Sequence, residues 1–285
     1  FLKSQSHYGG SCSAVLPLGE RGGVPPIAAD VNLSAHLAAR FPVLSRQIEE
    51  PSSLLLASRF RPLKVKRGYT WLHPSYPMHV LKNLKAGLHV LKLPSQVARH
   101  RGKPCLAGGF AVPKDAVEDR VITDPSVNDL IDPDRLPRPK FAFVPKLRAL
   151  TAPASGFIVV SKRDARHYFH RLRIGRKWRR WLCGPAVTLD WRGPQHPASC
   201  AVPMGFAPSA GWAQALTDVT TDLASLPVDK RLHPDFVVPS SLPIWASICD
   251  DIWALDHTES AAEVDPSGLD GPQWLSRAEE TWIGL

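Results

Sequence analysis

The sequence predicts an α+β fold, and three observations support this class. Helix-like and strand-like segments alternate along the chain without the regular repeat of a parallel α/β protein. Apolar residues make up 44% of the 285 residues, which is enough for one large domain or two modest ones with a real core. No internal repeat is visible in the sequence, and the 28 prolines indicate long irregular connections between elements.

The first third of the chain predicts two helices within a largely irregular segment. Residues 1–30 are rich in Gly, Ser and Pro and are predicted to be irregular. Residues 32–41 predict a short helix with Asn32 near its start. Residues 78–93 predict a longer helix, because apolar side chains recur on one face and lysines lie on the other. The predicted apolar face contains Met78, Leu81, Leu84, Leu88 and Leu91.

The middle of the chain predicts three strands. Residues 108–114 and 119–129 have the pattern of two short strands, joined by a turn near Asp115–Asp119. Residues 156–164 predict a buried strand that ends in charged residues, the last of which is Asp164. We therefore expect a hairpin followed by a separate strand.

The last third predicts a helix and then a strand–turn–strand unit. Residues 208–226 predict the helix, because Pro208 suits a first turn and apolar residues line one face. That face contains Trp212, Leu216, Val219 and Leu223. Residues 241–257 predict two apolar strands joined by a tight turn, with the adjacent acids Asp250 and Asp251 at the turn.

Positive charge is concentrated in one part of the chain. The net charge is +9, and the stretch from Pro51 to Lys114 has 12 Lys or Arg and four His but no acidic residue. A second basic run, residues 162–180, has nine Lys or Arg against one acid. Such surfaces favour a phosphate backbone as partner, although a short basic run is often only a solvated face. The aromatic residues of the first stretch would stack on bases or belong to the core.

Composition argues against several classes of protein. No apolar run approaches the 18 residues that a transmembrane helix needs, so no membrane partner is expected. The chain begins with Phe1 and has no signal-peptide pattern, so we expect a fragment or a processed piece. Five scattered cysteines form no CxxC pair, which argues against a zinc ribbon or a disulfide framework. Reduced thiols and nucleic-acid charge favour a cytoplasmic or nuclear location.

Acidic residues at the ends of predicted strands are the strongest functional signal. Asp164 ends one apolar strand, and Asp250 and Asp251 lie between two others. Carboxylates on rigid strands are suited to hold two Mg²⁺ ions, and Mn²⁺ is an alternative. Two such ions about 4 Å apart activate a primer hydroxyl and stabilise a leaving pyrophosphate. The pattern therefore indicates phosphoryl-transfer chemistry.

Three segments together resemble the palm of a reverse transcriptase of retroelement type, an RNA-directed DNA polymerase. RDARHYF (163–169) resembles the first palm motif of the family, VPMGFAPSAGWAQ (202–214) the second and ICDD (248–251) the third. Upstream, RVITDPSVN (120–128) resembles a signature of the fingers, and the preceding VPKDAVED resembles its basic hairpin. The resemblance covers roughly residues 105–285.

The resemblance implies a right-hand polymerase fold with palm and fingers. It divides the chain into a basic N-terminal extension (1–104) that is α-helical in part and otherwise irregular, a fingers-like segment (105–155) and an incomplete palm (156–285). The implied activity is two-metal transfer of nucleotides from dNTPs to a primer 3′-OH. The implied partners are an RNA or DNA template with its primer and the dNTPs; the oligomeric state stays open.

The resemblance also implies the roles of particular residues. Asp164 and Asp250 would be the principal ligands of the metal ions, and Asp251 would complete the acidic cluster. Ala165 would offer its backbone N–H to the incoming triphosphate. Phe169, five residues after Asp164, would lie under the sugar and reject a ribose 2′-OH.

Four further positions are implied to contact or support the substrate. Lys114 and Arg120 would neutralise the triphosphate from a mobile basic hairpin. Gly205 would let the backbone approach the nucleotide or the template. Gln214 would belong to the helix behind that turn.

Several positions depart from the family pattern. Met204 stands where a Gln is usual, and Ile248 stands where an aromatic residue is usual. Pro125 and Ser126 replace a Tyr-Arg pair of the fingers signature. These changes are consistent with a divergent lineage or with a decaying gene copy. Residues 271–285 resemble the helix before the next motif, so we expect a chain that is truncated before the thumb and poorly processive.

Three alternatives remain at the level of sequence. Each named residue has an ordinary interpretation, such as a solvated turn for Asp250–Asp251 or a core position for Phe169. An RNA-dependent RNA polymerase would share the acidic pair, but it normally carries an acid where Phe169 stands. The third alternative is a catalytically inactive relic that binds nucleic acid through the basic stretch 51–114 without metal chemistry.

Overall fold

A computed structural model of the chain describes residues 15–26, 29–141, 147–148, 150–151, 153–259 and 273–283. The helices in these ranges are α1 (Leu33–Leu37), α2 (Pro42–Glu49), α3 (Tyr76–Lys85), α4 (Tyr168–Arg171), α5 (Ser209–Leu223) and α6 (Gln273–Ile283). The strands are β1 (His89–Lys92), β2 (Arg99–His100), β3 (Lys103–Pro104), β4 (Ala107–Pro113), β5 (Asp119–Pro125), β6 (Phe157–Asp164), β7 (His196–Ser199), β8 (Ile244–Ile248) and β9 (Asp251–Thr258). The predicted α+β class is confirmed.

The strands form small antiparallel sheets. The pairs are β1 with β7, β2 with β3 and β4 with β5, and a three-stranded sheet has the order β6–β9–β8. No helix in the described ranges has the length and apolar character needed to cross a bilayer. The candidate site is built on the three-stranded sheet and the β4–β5 hairpin.

The three-stranded sheet brings distant acidic residues to one end. The central strand β9 pairs with β6 in a register that sets Asp164 opposite Asp251. A tight turn joins β8 to β9, and Cys249 in this turn has φ +50°. The predicted strand–turn–strand unit is therefore confirmed, with the acidic pair at its turn.

The β4–β5 hairpin is also confirmed, with a shorter second strand than predicted. The Asp115 carboxylate closes its turn by accepting hydrogen bonds from the N–H groups of Val117 and Glu118, at 2.8 and 2.7 Å. The strand ends at Pro125, and the next five residues, Ser126–Leu130, form a 3₁₀ helix. This helix places both Val127 and Leu130 in the core. If the strand continued instead, the two side chains would point to opposite faces of the sheet.

The helix predicted over residues 78–93 is wrong in its second half and in its buried face. Helix α3 ends at Lys85, because Gly87 adopts a left-handed conformation with φ +72° that terminates the helix. The residues after it form β1, which pairs with β7. Met78 is half exposed, and the buried side chains of α3 are Tyr76, His79, Val80 and Asn83.

Two other predicted burial patterns are only partly correct. The strand over 156–164 is present as β6, but it is an edge strand and Phe157 and Val160 are exposed. Its inward-facing residues near the acidic end are Ser161 and Arg163. Helix α5 buries the predicted stripe as far as Val219, whereas Leu223 at its last position is exposed. Asn32 caps α1 as expected, because its side chain accepts a hydrogen bond from Ala35 N at 3.4 Å.

The main core joins the N-terminal third of the chain to the later elements. Leu33 and Leu37 of α1 are buried in the same cluster as Tyr168, Trp178 and Trp212. Trp178 and Trp212 pack edge-to-face with a centroid distance of 6.3 Å. The indole N–H of Trp178 also donates to Gln47 O at 2.8 Å. Residues from α1 and α2 thus share one interior with the elements that carry the acids.

Candidate active site

Three carboxylates lie together at one end of the three-stranded sheet. Asp164 and Asp251 lie directly opposite each other across the β6–β9 pair. Asp250 precedes Asp251 in the turn, and its carbonyl oxygen accepts a hydrogen bond from Ala165 N at 2.9 Å. That bond ties the chain after β6 to the β8–β9 turn. It also uses the Ala165 N–H, which sequence resemblance had assigned to a triphosphate.

The proximity of these acids makes ionisation unfavourable for two of them. The pKa of Asp164 is raised by burial, by the hydrogen bond with Asp251 and by the negative charges of Asp250 and Asp251. The pKa of Asp250 is raised by burial and by the charge of Asp251, against smaller opposing effects of Lys162 and Arg120. The cluster therefore favours an added positive charge.

One cation of the chain already contacts the acidic cluster. Lys162 Nζ lies 2.8 Å from Asp251 Oδ1, and Lys162 is two residues before Asp164 on β6. The pKa of Lys162 is raised, chiefly by its hydrogen bond with Asp251. This ion pair is a contact that the sequence analysis missed. The pattern that could have indicated this contact is the alternation of side chains along a strand, which places residues 162 and 164 on the same face.

The acidic cluster suits Mg²⁺ as part of a ligand set. Within the described ranges, no group of three or more His, Cys, Asp or Glu side chains is arranged so that it could hold a metal ion. Mg²⁺ is commonly bound by one or two carboxylates together with substrate phosphates and waters. The carboxylates of Asp164 and Asp251 have that chemistry, and a divalent cation would relieve their mutual repulsion. The fit thus requires ligands from a substrate.

Helix α5 holds the β8–β9 turn from both sides. Gln214 Oε1 accepts a hydrogen bond from Cys249 N at 2.9 Å, and Thr217 Oγ1 donates to Cys249 O. The Gln214 amide also donates to Ser247 Oγ at 3.1 Å and to Asp218 Oδ1 at 3.0 Å. Gln214 is only 2% exposed, so it positions the turn and does not face a substrate.

The same helix holds the chain that follows Asp164. The Tyr168 hydroxyl donates to Ala213 O at 3.0 Å and lies 2.9 Å from Thr217 Oγ1. Burial raises the pKa of Tyr168, so this phenol stays protonated as a donor. Sequence reasoning identified Gln214 but missed Tyr168 and Thr217, since polar residues within apolar segments give no pattern that links them.

An open cleft lies in front of the acids and is lined by residues of opposite charge. Asp164 and Asp250 form one side, while Lys114 and Arg120 come from the β4–β5 hairpin. Lys114 pairs with Glu118 at 3.0 Å, with both side chains largely in solvent. Arg120 is exposed, and its charge acts to lower the pKa of Asp250. The cleft therefore has carboxylates on one side and the cationic side chains of Lys114 and Arg120 on the other.

Phe169 separates this cleft from an internal cavity. It is half-buried, lines both spaces and packs edge-on against Tyr168 with a centroid distance of 5.9 Å. Met204 lines both spaces as well. These two side chains contribute to the apolar part of the cleft surface, which also includes Val24, Pro25 and Val121.

Gly205 lies against the hairpin and is not part of the cleft lining. It has φ +97°, and a Cβ at this position would overlap the carbonyl oxygen of Thr123 on β5. Asn128 fixes the same turn, because its side chain donates to Gly205 O at 2.9 Å and accepts from Ala207 N at 3.0 Å. The nearest backbone to Gly205 is thus that of the protein's own hairpin.

Comparison with solved structures gives a weak likeness of fold, whereas the comparisons by sequence found nothing. No known family's sequence profile matches the chain, and no curated protein matches it. Among solved structures, a foamy viral protease–reverse transcriptase in complex with double-stranded DNA is similar over 83% of this chain, with a TM-score of 0.46 and 19% identity. The match covers 33% of that viral chain, so the present chain spans about a third of its length. The likeness concerns the fold alone.

Proposed function

We propose that the chain is the palm-and-fingers part of an RNA-directed DNA polymerase. It would extend a primer 3′-OH with dNTPs on an RNA or DNA template. The observation that supports this proposal best is the register of β6 and β9, which sets Asp164 opposite Asp251 with Asp250 in the adjacent turn. Asp164 and Asp250 line one cleft with the hairpin cations Lys114 and Arg120, an arrangement suited to the transfer of a charged phosphoryl group.

Each side of the cleft has a distinct task in the proposed reaction. Asp164, Asp250 and Asp251 would hold Mg²⁺, with Mn²⁺ as a substitute, together with oxygens of the triphosphate. The bound ions would act as Lewis acids that lower the pKa of the primer hydroxyl, and their positive charge would neutralise the phosphates. Lys114 and Arg120 orient the triphosphate through charge-assisted hydrogen bonds.

The apolar part of the cleft would select the sugar. Phe169 stands beside Asp164 and Ala165 at the cleft surface, where a bulky ring excludes a ribose 2′-OH. Gln214 and Gly205 take supporting parts, because one holds the Cys249 turn and the other docks the 202–208 segment on β5.

Primer extension on a primed RNA template tests the proposal. Asp164→Asn and Asp250→Asn should each lower extension by at least about 1,000-fold, because each removes a group that acts as part of one catalytic unit. Asp256→Asn, which changes an acid of the adjacent strand β9 outside the cleft, is the matched control and should retain activity. Equal activity of Asp250→Asn and Asp256→Asn would contradict the proposal.

Nucleotide choice separates the DNA polymerase from an RNA polymerase. The wild-type chain should incorporate dNTPs, and Phe169→Ala should admit rNTPs, because the ring that blocks the 2′-OH is gone. A wild-type preference for rNTPs would instead favour an RNA-dependent RNA polymerase.

A catalytically inactive nucleic-acid-binding protein is the second candidate. The Lys162–Asp251 ion pair favours it, because a side chain of the protein itself already neutralises one carboxylate. The measurement that decides is calorimetric titration with Mg²⁺ in the presence of primed template and dNTP. Equal Mg²⁺ affinity of wild type and Asp250→Asn, together with no extension, would establish the second candidate.

A further inference from the structure

A buried arginine, Arg231, is connected to the β8–β9 turn through a chain of polar side chains. It follows a 3₁₀ helix (Val228–Lys230) in the connection between α5 and β8, and it is 5% exposed. Its guanidinium group forms an ion pair with Asp218 of α5 and lies over the ring of Trp245, with 5.0 Å between Cζ and the ring centroid. Arginine is almost never fully buried unless its charge is paired. An ion pair is therefore built into the helix and sheet that support the acids.

Asp218 and Ser247 link Arg231 to the side-chain amide of Gln214. The Asp218 Oδ1 atom accepts hydrogen bonds from Arg231 and, at 3.0 Å, from Gln214 Nε2. Ser247 Oγ lies 3.1 Å from the same amide nitrogen and 3.4 Å from a guanidinium nitrogen of Arg231. The other end of the amide, Gln214 Oε1, accepts from Cys249 N at 2.9 Å. Hydrogen bonds in series thus join Arg231 to the backbone of the turn.

The orientation of the Gln214 amide depends on these neighbours. The two ends of an amide have nearly the same shape, but one end accepts hydrogen bonds and the other donates them. An ionised carboxylate only accepts, so Asp218 holds the NH₂ end and leaves the oxygen to face Cys249 N. The reversed amide would point N–H groups at a backbone N–H, which is unfavourable in a buried place. The charge of Arg231 balances the carboxylate, which would otherwise be costly to hold at a largely buried position.

The turn needs this support because its backbone is in an unfavourable conformation. Cys249 has φ +50°, in the left-handed region that residues with a side chain rarely adopt. Such a conformation persists only where the surrounding structure enforces it. Gln214 holds the N–H of Cys249 and Thr217 holds its carbonyl oxygen. Asp250 comes directly after this residue, so the direction of its carboxylate depends on how Cys249 is held.

We propose that Arg231 is a positioning residue for the proposed nucleotide transfer. Arg231 holds Asp218, Asp218 orients the Gln214 amide, and the amide keeps the turn in the conformation that presents Asp250 to the cleft. Arg231 does not line the cleft, so it acts on the acids only through these contacts. This role in the reaction rests on the function proposed above, whereas the control of the turn can be measured without any activity.

Amide hydrogen exchange at the cysteines tests the control of the turn. Protein labelled with ¹⁵N-cysteine contains five labelled residues, and Cys249→Ser identifies the signal of Cys249. Arg231→Gln should raise the exchange rate of the Cys249 N–H about tenfold or more, because its acceptor is no longer oriented. The N–H groups of Cys105 and Cys200 donate to backbone carbonyl oxygens elsewhere in the fold. Their exchange rates should stay as in the wild type, which separates a local change from general loss of stability.

Two double variants separate orientation of the amide from the presence of the ion pair. Asp218→Leu/Arg231→Met replaces the pair by apolar side chains, a change that often preserves stability. It leaves the Gln214 amide without a carboxylate to orient it, so Cys249 should still exchange fast. Gln214→Glu/Asp218→Leu moves the carboxylate to position 214, where either oxygen accepts from Cys249 N and the charge of Arg231 remains paired. This second variant should restore slow exchange.

Arg40→Gln is the matched control. Arg40 also contacts α5, through an ion pair with Asp222 and a hydrogen bond to Asp218 O at 3.3 Å, but neither contact includes the Gln214 amide. The variant removes an arginine from the same helix, and it should leave both the exchange rate of Cys249 and primer extension unchanged.

Primer extension connects the turn to the reaction. Arg231→Gln and Asp218→Leu/Arg231→Met should lower kcat about 10- to 100-fold and change the KM for dNTP less than about threefold, because the metal-binding acids are displaced and the triphosphate contacts are not. Gln214→Glu/Asp218→Leu should recover most of kcat.

Slow exchange at Cys249 in both Arg231→Gln and Asp218→Leu/Arg231→Met would overturn the control of the turn by Arg231. Fast exchange with an unchanged kcat would overturn its role in the reaction. Absence of extension by the wild-type chain would instead contradict the function proposed above, and the exchange rates would still decide whether Arg231 holds the turn.

Discussion

Gly205 shows how one residue without a side chain joins two parts of the structure. Its left-handed backbone and the absence of a Cβ allow the turn before α5 to lie on β5, directly against the Thr123 carbonyl. Asn128 then bridges Gly205 and Ala207 through its side-chain amide. The hairpin and the helix that supports the acids are therefore held together by backbone contact, and a larger residue cannot be accommodated there.

Gly205→Ala should lower the free energy of unfolding by at least about 2 kcal/mol, through left-handed strain and steric overlap with Thr123. Urea denaturation at neutral pH measures this change. Gly102→Ala is the matched control: Gly102 has φ +80°, but a Cβ there meets no atom within 4 Å. Gly102→Ala should therefore cost only about 1–2 kcal/mol, the strain alone. Equal losses for the two variants would show that contact with Thr123 is unimportant.

At the scale of elements, α3, β1 and α4 place three histidines around the internal cavity behind Phe169. Burial lowers the pKa of His79 to about 4, that of His89 to about 3 and that of His170 to about 4. Neighbouring positive charge adds to the effect, since each histidine repels the protonated form of another or of a nearby lysine. All three rings are thus neutral at pH 7 in the folded protein.

The folded protein should lose stability as the pH falls below about 6.5, the pKa of histidine in the unfolded chain. In this range the unfolded state binds protons that the buried rings exclude, so the free energy of unfolding decreases with decreasing pH. The expected loss between pH 7 and pH 5 is on the order of 2 kcal/mol for each histidine. Urea denaturation at the two pH values measures it. His79→Gln should reduce the loss and His73→Gln, at an exposed position, should not; a pH-independent stability would contradict the prediction.

The sequence was sufficient to predict those elements whose characteristic residues lie within the element itself. The β4–β5 hairpin, the β8–β9 turn and α5 were predicted because turn residues and apolar periodicity lie within each segment. The break of α3 at Gly87 was missed, since the apolar period continues into a segment that pairs with β7. The buried His79 and Asn83 were missed because polar residues do not count toward an apolar face, although the two side chains bond to each other at positions i and i+4 of α3.

The candidate site was predictable only in part. The two acidic segments could be chosen from sequence because they occur together, in order and at suitable spacing, with the 202–214 turn between them. The register of their strands could not be predicted. The Lys162–Asp251 ion pair and the Thr217 contact with Cys249 depend on how β6, β9 and α5 pack. Contacts of this kind join residues far apart in sequence and leave no periodic signal.

At the scale of the whole molecule, a single aromatic cluster links the N-terminal third to the later elements. Trp178 is fully buried, contacts Phe206 and Trp212, and donates its indole N–H to Gln47 O. Elements separated by more than a hundred residues thus depend on one side chain. We therefore expect α1, α2 and α5 to unfold together.

Trp178→Ala should lower the free energy of unfolding by about 3–5 kcal/mol, the usual loss for a buried tryptophan. Urea transitions followed by near-UV and far-UV circular dichroism should still coincide, since one core holds these elements. Trp191→Ala, at a position that is 89% exposed, is the control and should change stability by less than about 0.5 kcal/mol. Separate transitions in the wild type would contradict a shared core.

Helix α5 forms hydrogen bonds with both acidic segments, and this has a consequence for how the site responds to changes in the hairpin. The helix contacts Tyr168 on one side and the Cys249 turn on the other, while the hairpin cations Lys114 and Arg120 project from a different sheet. The proposed contacts to a triphosphate and the spacing of the carboxylates therefore depend on different elements. Substitutions of Lys114 or Arg120 would change the first without altering the second.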